Sequence, residues 1–282
     1  MKKIVSILLA ALLVLALGAC GQTGNSSSNS NLNKGNTPTG SASDSNLNAG
    51  GTSQPEGGLT TINAGKLTIA TSPDFPPYEY LDDSGDIVGI EIDILGLIAG
   101  KLGLELQVDA MDFDSALLAV QQGKSDMVVS GVTVLPEREL VMNFTDSYTT
   151  AVQVIVVPEG SDVTLDNLGE QQIGTQLGTT GYLYTLDDYG EDHVTGYNTY
   201  TLVVQALLNG QIDCIVMDDA VAREYVAANP GLMILDTSYA DEDYAFGVDK
   251  SNAALTEAVN NALKELMADG TVDSIIAQYI GD

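Results

Sequence analysis

A twelve-residue segment, Leu118 to Val129, recurs in pattern 87 positions later as Gln205 to Val216. In each copy an apolar helical stretch stops at a glycine, Gly123 or Gly210. An aspartate follows three residues on, Asp126 or Asp213, and an apolar strand begins. Around these copies the chain alternates short strands (Leu67 to Ala70, Leu104 to Val108, Asp126 to Ser130) with amphipathic helices (from Ile90 to near Gly103, and Phe113 to Gln122). Such alternation predicts βαβ units with a largely parallel sheet, and the recurrence predicts two similar α/β lobes. In open parallel sheets ligands bind beyond the carboxyl ends of the strands. The first copy's strand ends at Ser130-Gly131 and the second's at Met217-Asp218, so those ends are expected to face one cleft.

Composition narrows what that cleft holds. The chain has 39 acidic and 10 basic residues and a net charge of -29, which argues against nucleic acid as a partner because a phosphate backbone needs a basic surface. There is one histidine, His193, in a polar loop, and Cys214 lies in an apolar strand, so neither a zinc site nor a cysteine–histidine nucleophile is expected. No metal or cofactor is implied. Arg138 and Arg223 are the only arginines. Arg138 follows Ser130-Gly131-Val132-Thr133, and a guanidinium beside a glycine and a threonine can grip a carboxylate through two parallel donors. The same residue is equally readable as a surface arginine paired with Glu137 or Glu139.

The amino-terminal residues carry a different message. Lys2 and Lys3 precede an apolar run from Ile4 to Leu17, a pattern predicting a secretory signal peptide over residues 1–19. Leu17-Gly18-Ala19-Cys20 resembles a bacterial lipobox, which makes Cys20 the acylated first residue of the mature protein. Residues 20–62 are rich in Asn, Ser, Gly and Thr and are expected to be a disordered tether. A flexible chain of about 40 residues reaches roughly 35 Å. No second apolar run approaches the length of a membrane helix.

From Lys66 onward the chain resembles the family 3 bacterial solute-binding proteins, the extracytoplasmic amino-acid receptors of ABC importers. The residues that carry the resemblance are Thr71-Ser72-Pro73-Asp74-Phe75-Pro76-Pro77-Tyr78-Glu79-Tyr80, Val88-Gly89-Ile90-Glu91-Ile92-Asp93, and Gly131 to Arg138 with Asn143-Phe144-Thr145-Asp146-Ser147-Tyr148. Met267-Ala268-Asp269-Gly270-Thr271 and Gln278-Tyr279 complete it. The resemblance implies a two-lobed periplasmic-binding-protein type II fold, with two Rossmann-like lobes joined by a two-strand hinge. Lobe 1 is expected over 66–147 plus 245–282 and lobe 2 over 152–240, with crossings near Ser147 to Val152 and Ala240 to Tyr244.

It also implies a site. Arg138, Thr133 and the Gly131 backbone would bind an α-carboxylate, and Thr180 of Gly178-Thr179-Thr180-Gly181 would add a hydroxyl and an amide. That glycine-threonine run reads equally as a plain helix cap. Asp218 would take the α-ammonium. Phe75 and Phe113 would be aromatic walls, although either also reads as ordinary core. Ser72 and Gln176 would border the side-chain pocket, with Asp74 at the cleft rim and Glu79 structural. Ser72 stands where binders of basic amino acids tend to carry an acid. The expected function is capture of a polar amino acid by a lipid-anchored monomer at the extracytoplasmic membrane face, and its delivery to an ABC permease. The alternative is an enzyme of the same fold, such as a cyclohexadienyl-type dehydratase, with Asp74 or Glu79 as its acid.

Overall fold

Each helix–glycine–strand copy folds as the repeat predicts, and each feeds a different sheet. The structure, a computed structural model, describes residues 59–281. The signal segment, Cys20 and the tether up to residue 58 lie outside the described residues. The ordered chain begins before Lys66: Leu59 packs against the core and the Ile62 amide donates to Asp126 Oδ1 at 2.8 Å.

The chain enters on β1 (Lys66–Thr71) and a small antiparallel sheet, β2 (Asp74–Phe75), β3 (Glu79–Leu81) and β4 (Ile87–Val88). It continues through α1 (Ile90–Leu102), β5 (Glu105–Ala110), α2 (Phe113–Gln121), β6 (Met127–Val128), α3 (Pro136–Glu139) and β7 (Met142–Phe144). Helix α1 forms because Ile90, Ile94, Leu95 and Ile98 make one fully buried stripe, while Glu91 and Asp93 in its first turn and Lys101 in its last suit the helix dipole. The chain then leaves on β8 (Thr149–Pro158).

The second sheet is built from β8, β9 (Ile173–Gln176), α4 (Thr180–Tyr189), β10 (Val194–Tyr197), α5 (Tyr200–Leu208), β11 (Cys214–Asp218), α6 (Asp219–Ala228) and β12 (Leu232–Ile234). The return runs along β13 (Ala240–Tyr244) into β14 (Gly247–Asp249), α7 (Ala253–Ala268) and α8 (Thr271–Ile280).

The first sheet has the order β5-β1-β6-β14-β7 and the second β10-β9-β11-β8-β12. Strands β5, β1 and β6 are mutually parallel, as are β10, β9 and β11, but β14 and β8 run antiparallel to their neighbours. The sheets are therefore mixed where the sequence pattern implied largely parallel pairing. Antiparallel strands enter because the chain crosses between sheets twice, and the two crossing strands pair with each other from Ala240↔Gln153 to Tyr244↔Thr149. Glycines 123 and 210 close the repeated helices with φ of 64° and 66°, the left-handed conformation that glycine adopts at no steric cost.

Candidate functional site

The carboxyl ends of β1, β6, β9 and β11 converge, and a narrow cavity lies among them. Its walls include Phe75, Phe113, Ser130, Gly131, Thr133 and Arg138 from the first sheet's side. Gln176, Thr179, Thr180 and Asp218 come from the second sheet, and Glu242 from the return strand.

Arg138 is not a surface residue. It is 7% exposed, held by α3 against the Phe113 ring with the guanidinium carbon 5.6 Å from the ring centre. One terminal nitrogen donates to the Thr133 carbonyl at 2.9 Å and the other to the Gly178 carbonyl at 2.9 Å, so the side chain spans the gap between the two sheets. Neither Glu137 nor Glu139 pairs with it; the exposed ion pair of this kind belongs to Arg223, with Asp219 at 2.5 Å. Burial pulls the Arg138 guanidinium below its ordinary value, opposed by the charge of Glu242.

Gly131 sits at φ 54°, and a methyl group there would collide with the Phe75 ring. Its amide donates to the Glu91 carboxylate at 3.1 Å. Gly131→Ala is therefore expected to displace either the loop or Phe75, and to weaken ligand binding about fivefold to 150-fold, since such strain costs of order 1–3 kcal/mol. Titration calorimetry on the variant checks it.

The glycine-threonine run caps a helix with one threonine and lines the cavity with the next. Thr179 caps α4, its hydroxyl oxygen accepting from the Tyr182 amide at 3.2 Å, while Thr180 opens the helix at the cavity wall. Asp218 ends β11 with 4% exposure and accepts a hydrogen bond from the Tyr244 hydroxyl. Burial, and next the Glu242 charge, push its carboxyl up to about 8.

Ser72 stands behind the wall rather than in it: its hydroxyl donates to Asp74 Oδ1 at 2.7 Å and its amide to Ser130 Oγ at 3.2 Å. Asp74 is no loose rim residue. Its Oδ2 accepts from the Tyr200 amide at 2.7 Å at the start of α5, and Gln176 Nε2 approaches both its oxygens at 3.3 Å. Burial raises its carboxyl, an effect that the Ser72, Tyr200 and Gln176 donors oppose. Phe75 packs between Tyr78 and Tyr200, with centroids 5.5 and 5.9 Å away. His193 is half-buried, its Nδ1 3.2 Å from the Gln171 carbonyl. Cys214 is fully buried, and burial pushes its thiol up to about 12, which keeps it inert.

Behind Gly131 lies a fully buried carboxyl pair, Glu79 and Glu91, hydrogen-bonded to each other. Glu79 accepts from the Ser130 hydroxyl at 2.6 Å, and Glu91 accepts from the Tyr148 hydroxyl at 2.5 Å. The structural role expected for Glu79 fits this placement. Ser130, Thr179, Glu242 and Tyr244 are site residues that motif reading missed.

A narrow cavity with a guanidinium on one sheet and a carboxylate on the other is what a receptor for small solutes presents. Residues 67–282 match the model of the bacterial extracellular solute-binding proteins, family 3. The chain belongs to this family. An ABC transporter arginine-binding protein 1 of Escherichia coli is 31% identical to it, over 76% of this chain and 90% of that protein. A probable histidine-binding protein of Neisseria gonorrhoeae is 30% identical, over 75% and 81%. Among solved structures, an ancestral arginine-binding protein bound to glutamine superposes with a TM-score of 0.74 at 36% identity, over 77% of this chain and 99% of that one. The arginine-, lysine-, histidine-binding protein ArtJ of Geobacillus stearothermophilus gives 0.73 at 32%, over 77% and 96%. As in those neighbours, the solute-binding protein has the two-lobed type II periplasmic-binding fold.

Proposed function

We propose that this solute-binding protein captures a polar amino acid between its two lobes and delivers it to an ABC importer. The observation that carries this is the placement of Arg138 and Asp218 on opposite sides of one buried cavity. Arg138 takes the α-carboxylate, with the Thr180 backbone, and Asp218 takes the α-ammonium; the Gly131 amide, expected to join Arg138, is already given to Glu91. Phe75 and Phe113 flank the ligand. Gln176 forms the polar wall for its side chain, braced from behind by Asp74 and Ser72. Arginine heads the candidates, followed by histidine and glutamine, because those are the ligands that the relatives' names print. Lobe 1 comprises 66–147 with 245–282, lobe 2 comprises 152–240, and the ligand closes them by binding the closed form better than the open one. The protein works as a monomer on the extracytoplasmic face of the membrane, held there through an acylated Cys20 and the tether beyond it.

A thermal-shift screen against the twenty amino acids and cystine tests the reading, since a ligand raises the melting temperature by mass action. No shift with any of them overturns it. The Asp218 carboxyl, at about 8 in the empty site, adds a pH signature. Below that value the empty site holds a proton that the ligand's ammonium must displace. Affinity is expected to weaken by up to about tenfold per pH unit on going from pH 8 to pH 6, one proton being released per ligand. Calorimetry in buffers of different ionisation enthalpy reads that proton, and Asp218→Asn removes it. The empty protein shows the converse. A carboxyl raised on folding contributes stability in acid that is lost as pH rises through about 8.

A further inference from the structure

Glu242 stands in the middle of β13, 4% exposed and against the cavity, at a position no motif marks. Its Oε2 accepts from the Thr133 hydroxyl at 2.6 Å. Its Oε1 is buried with no partner. A carboxylate oxygen shut away from water without a donor is unfavourable, and nothing nearby fills the gap. The Arg138 terminal nitrogens go to the carbonyls of Thr133 and Gly178, and the Tyr244 hydroxyl goes to Asp218. Asp218 itself is a like charge that repels Glu242. Two carboxylates from adjoining elements thus face one cavity, and no protein donor reaches the free Glu242 oxygen.

We propose that Glu242 is a ligand-binding residue that shares the ammonium of the bound amino acid with Asp218, seating that cation between two carboxylates. This rests on the amino-acid reading of the cavity. Thr133 completes the seat. Its single hydroxyl hydrogen is committed to Glu242, so its oxygen faces the ligand as an acceptor. Thr133 therefore serves the ammonium through its hydroxyl, and the carboxylate is left to Arg138 and backbone amides. An ammonium has three N–H groups, and Asp218, Glu242 and Thr133 offer one acceptor each. A metal ion is the poorer occupant, because among the described residues no group of three acidic, histidine or cysteine side chains could hold one. The seat makes the site selective: a ligand without an amine leaves two buried carboxylates unanswered.

The test uses titration calorimetry on the wild type and Glu242→Gln with L-arginine and with 5-guanidinopentanoate, which is arginine without its α-amino group. Glu242→Gln is expected to weaken L-arginine about tenfold or more, the worth of one charged hydrogen bond, and to leave 5-guanidinopentanoate within about twofold. Unchanged arginine affinity overturns the proposal, and so does an equal loss for both compounds, which would place Glu242 on the side chain. A wild type that binds no amino acid instead overturns the amino-acid reading itself. In that event the ligand-free melting temperatures at pH 8.5 decide. An unfilled seat beside a like charge makes Glu242→Gln melt higher than wild type. A lower value assigns Glu242 to bracing Thr133 alone and overturns the proposal.

Discussion

Arg138→Ala is expected to abolish amino-acid binding in titration calorimetry. Removing one partner of a buried charged pair costs about 2–5 kcal/mol, which weakens affinity from about thirtyfold to several thousandfold. The upper part of that range applies, because Arg138 is 7% exposed and the other charged residues lining the cavity, Asp218 and Glu242, are acidic. Arg138→Lys should recover little, since an ammonium cannot reproduce the two parallel donors of a guanidinium. Retained affinity in Arg138→Ala would sink the assignment of the carboxylate anchor. The fold should survive the change, because α3 that carries Arg138 is four residues long and joins loops rather than core elements.

The second large effect falls on stability. Glu91→Ala removes the acceptor for the Gly131 amide and the Tyr148 hydroxyl, both buried. At about 1–3 kcal/mol for each orphaned donor, the loss is about 2–6 kcal/mol, a large share of what holds a domain of this size together. Urea denaturation at pH 7 measures it; a loss below about 1 kcal/mol would show that water replaces the carboxylate. The pair also predicts a pH trend. Burial first, then the neighbouring carboxylate, raises Glu79 well above its ordinary value, and burial raises Glu91. A group raised on folding stabilises at acid pH, and that stability is lost as pH rises through its folded value. Glu79→Gln keeps a donor for Glu91 without the titration, so its stability should fall less than that of the wild type as pH rises above the ordinary carboxylate range.

The repeat was legible because it is local. Helix, glycine and strand follow one another within twelve residues, and the left-handed glycines make the punctuation explicit. Arg138, Thr133 and Asp218 were legible for the same reason, each lying just past an apolar strand. Glu242 was not. Ala240-Asp241-Glu242-Asp243-Tyr244 reads as one more acidic run in an acidic chain. Only pairing with β8 turns it into a strand in which Asp241 and Asp243 face water while Glu242 and Tyr244 face inward. The Glu79–Glu91 pair escaped similarly, since a hairpin and a helix must pack before the two carboxyls meet. The bond between Asp74 and the Tyr200 amide joins residues 126 positions apart, and no pattern within either segment announces it.

Strand β13 does two jobs at once. It is one of the two crossings between the sheets, and it supplies Glu242 to the cavity wall and, behind it, the Tyr244 hydroxyl that donates to Asp218. The loop bearing Thr133 is stitched to the same strand, through a bridge to Tyr244 and a hydrogen bond from the Val134 amide to the Asp243 carbonyl at 3.1 Å. Any flexing of this ladder would shift Glu242 and Tyr244 relative to Asp218, so on the proposed reading the hinge and the ammonium seat are one object. Affinity can then be tuned from the outer surface: the exposed side chains of Asp241 and Asp243 offer a handle on ladder stiffness that never touches the ligand.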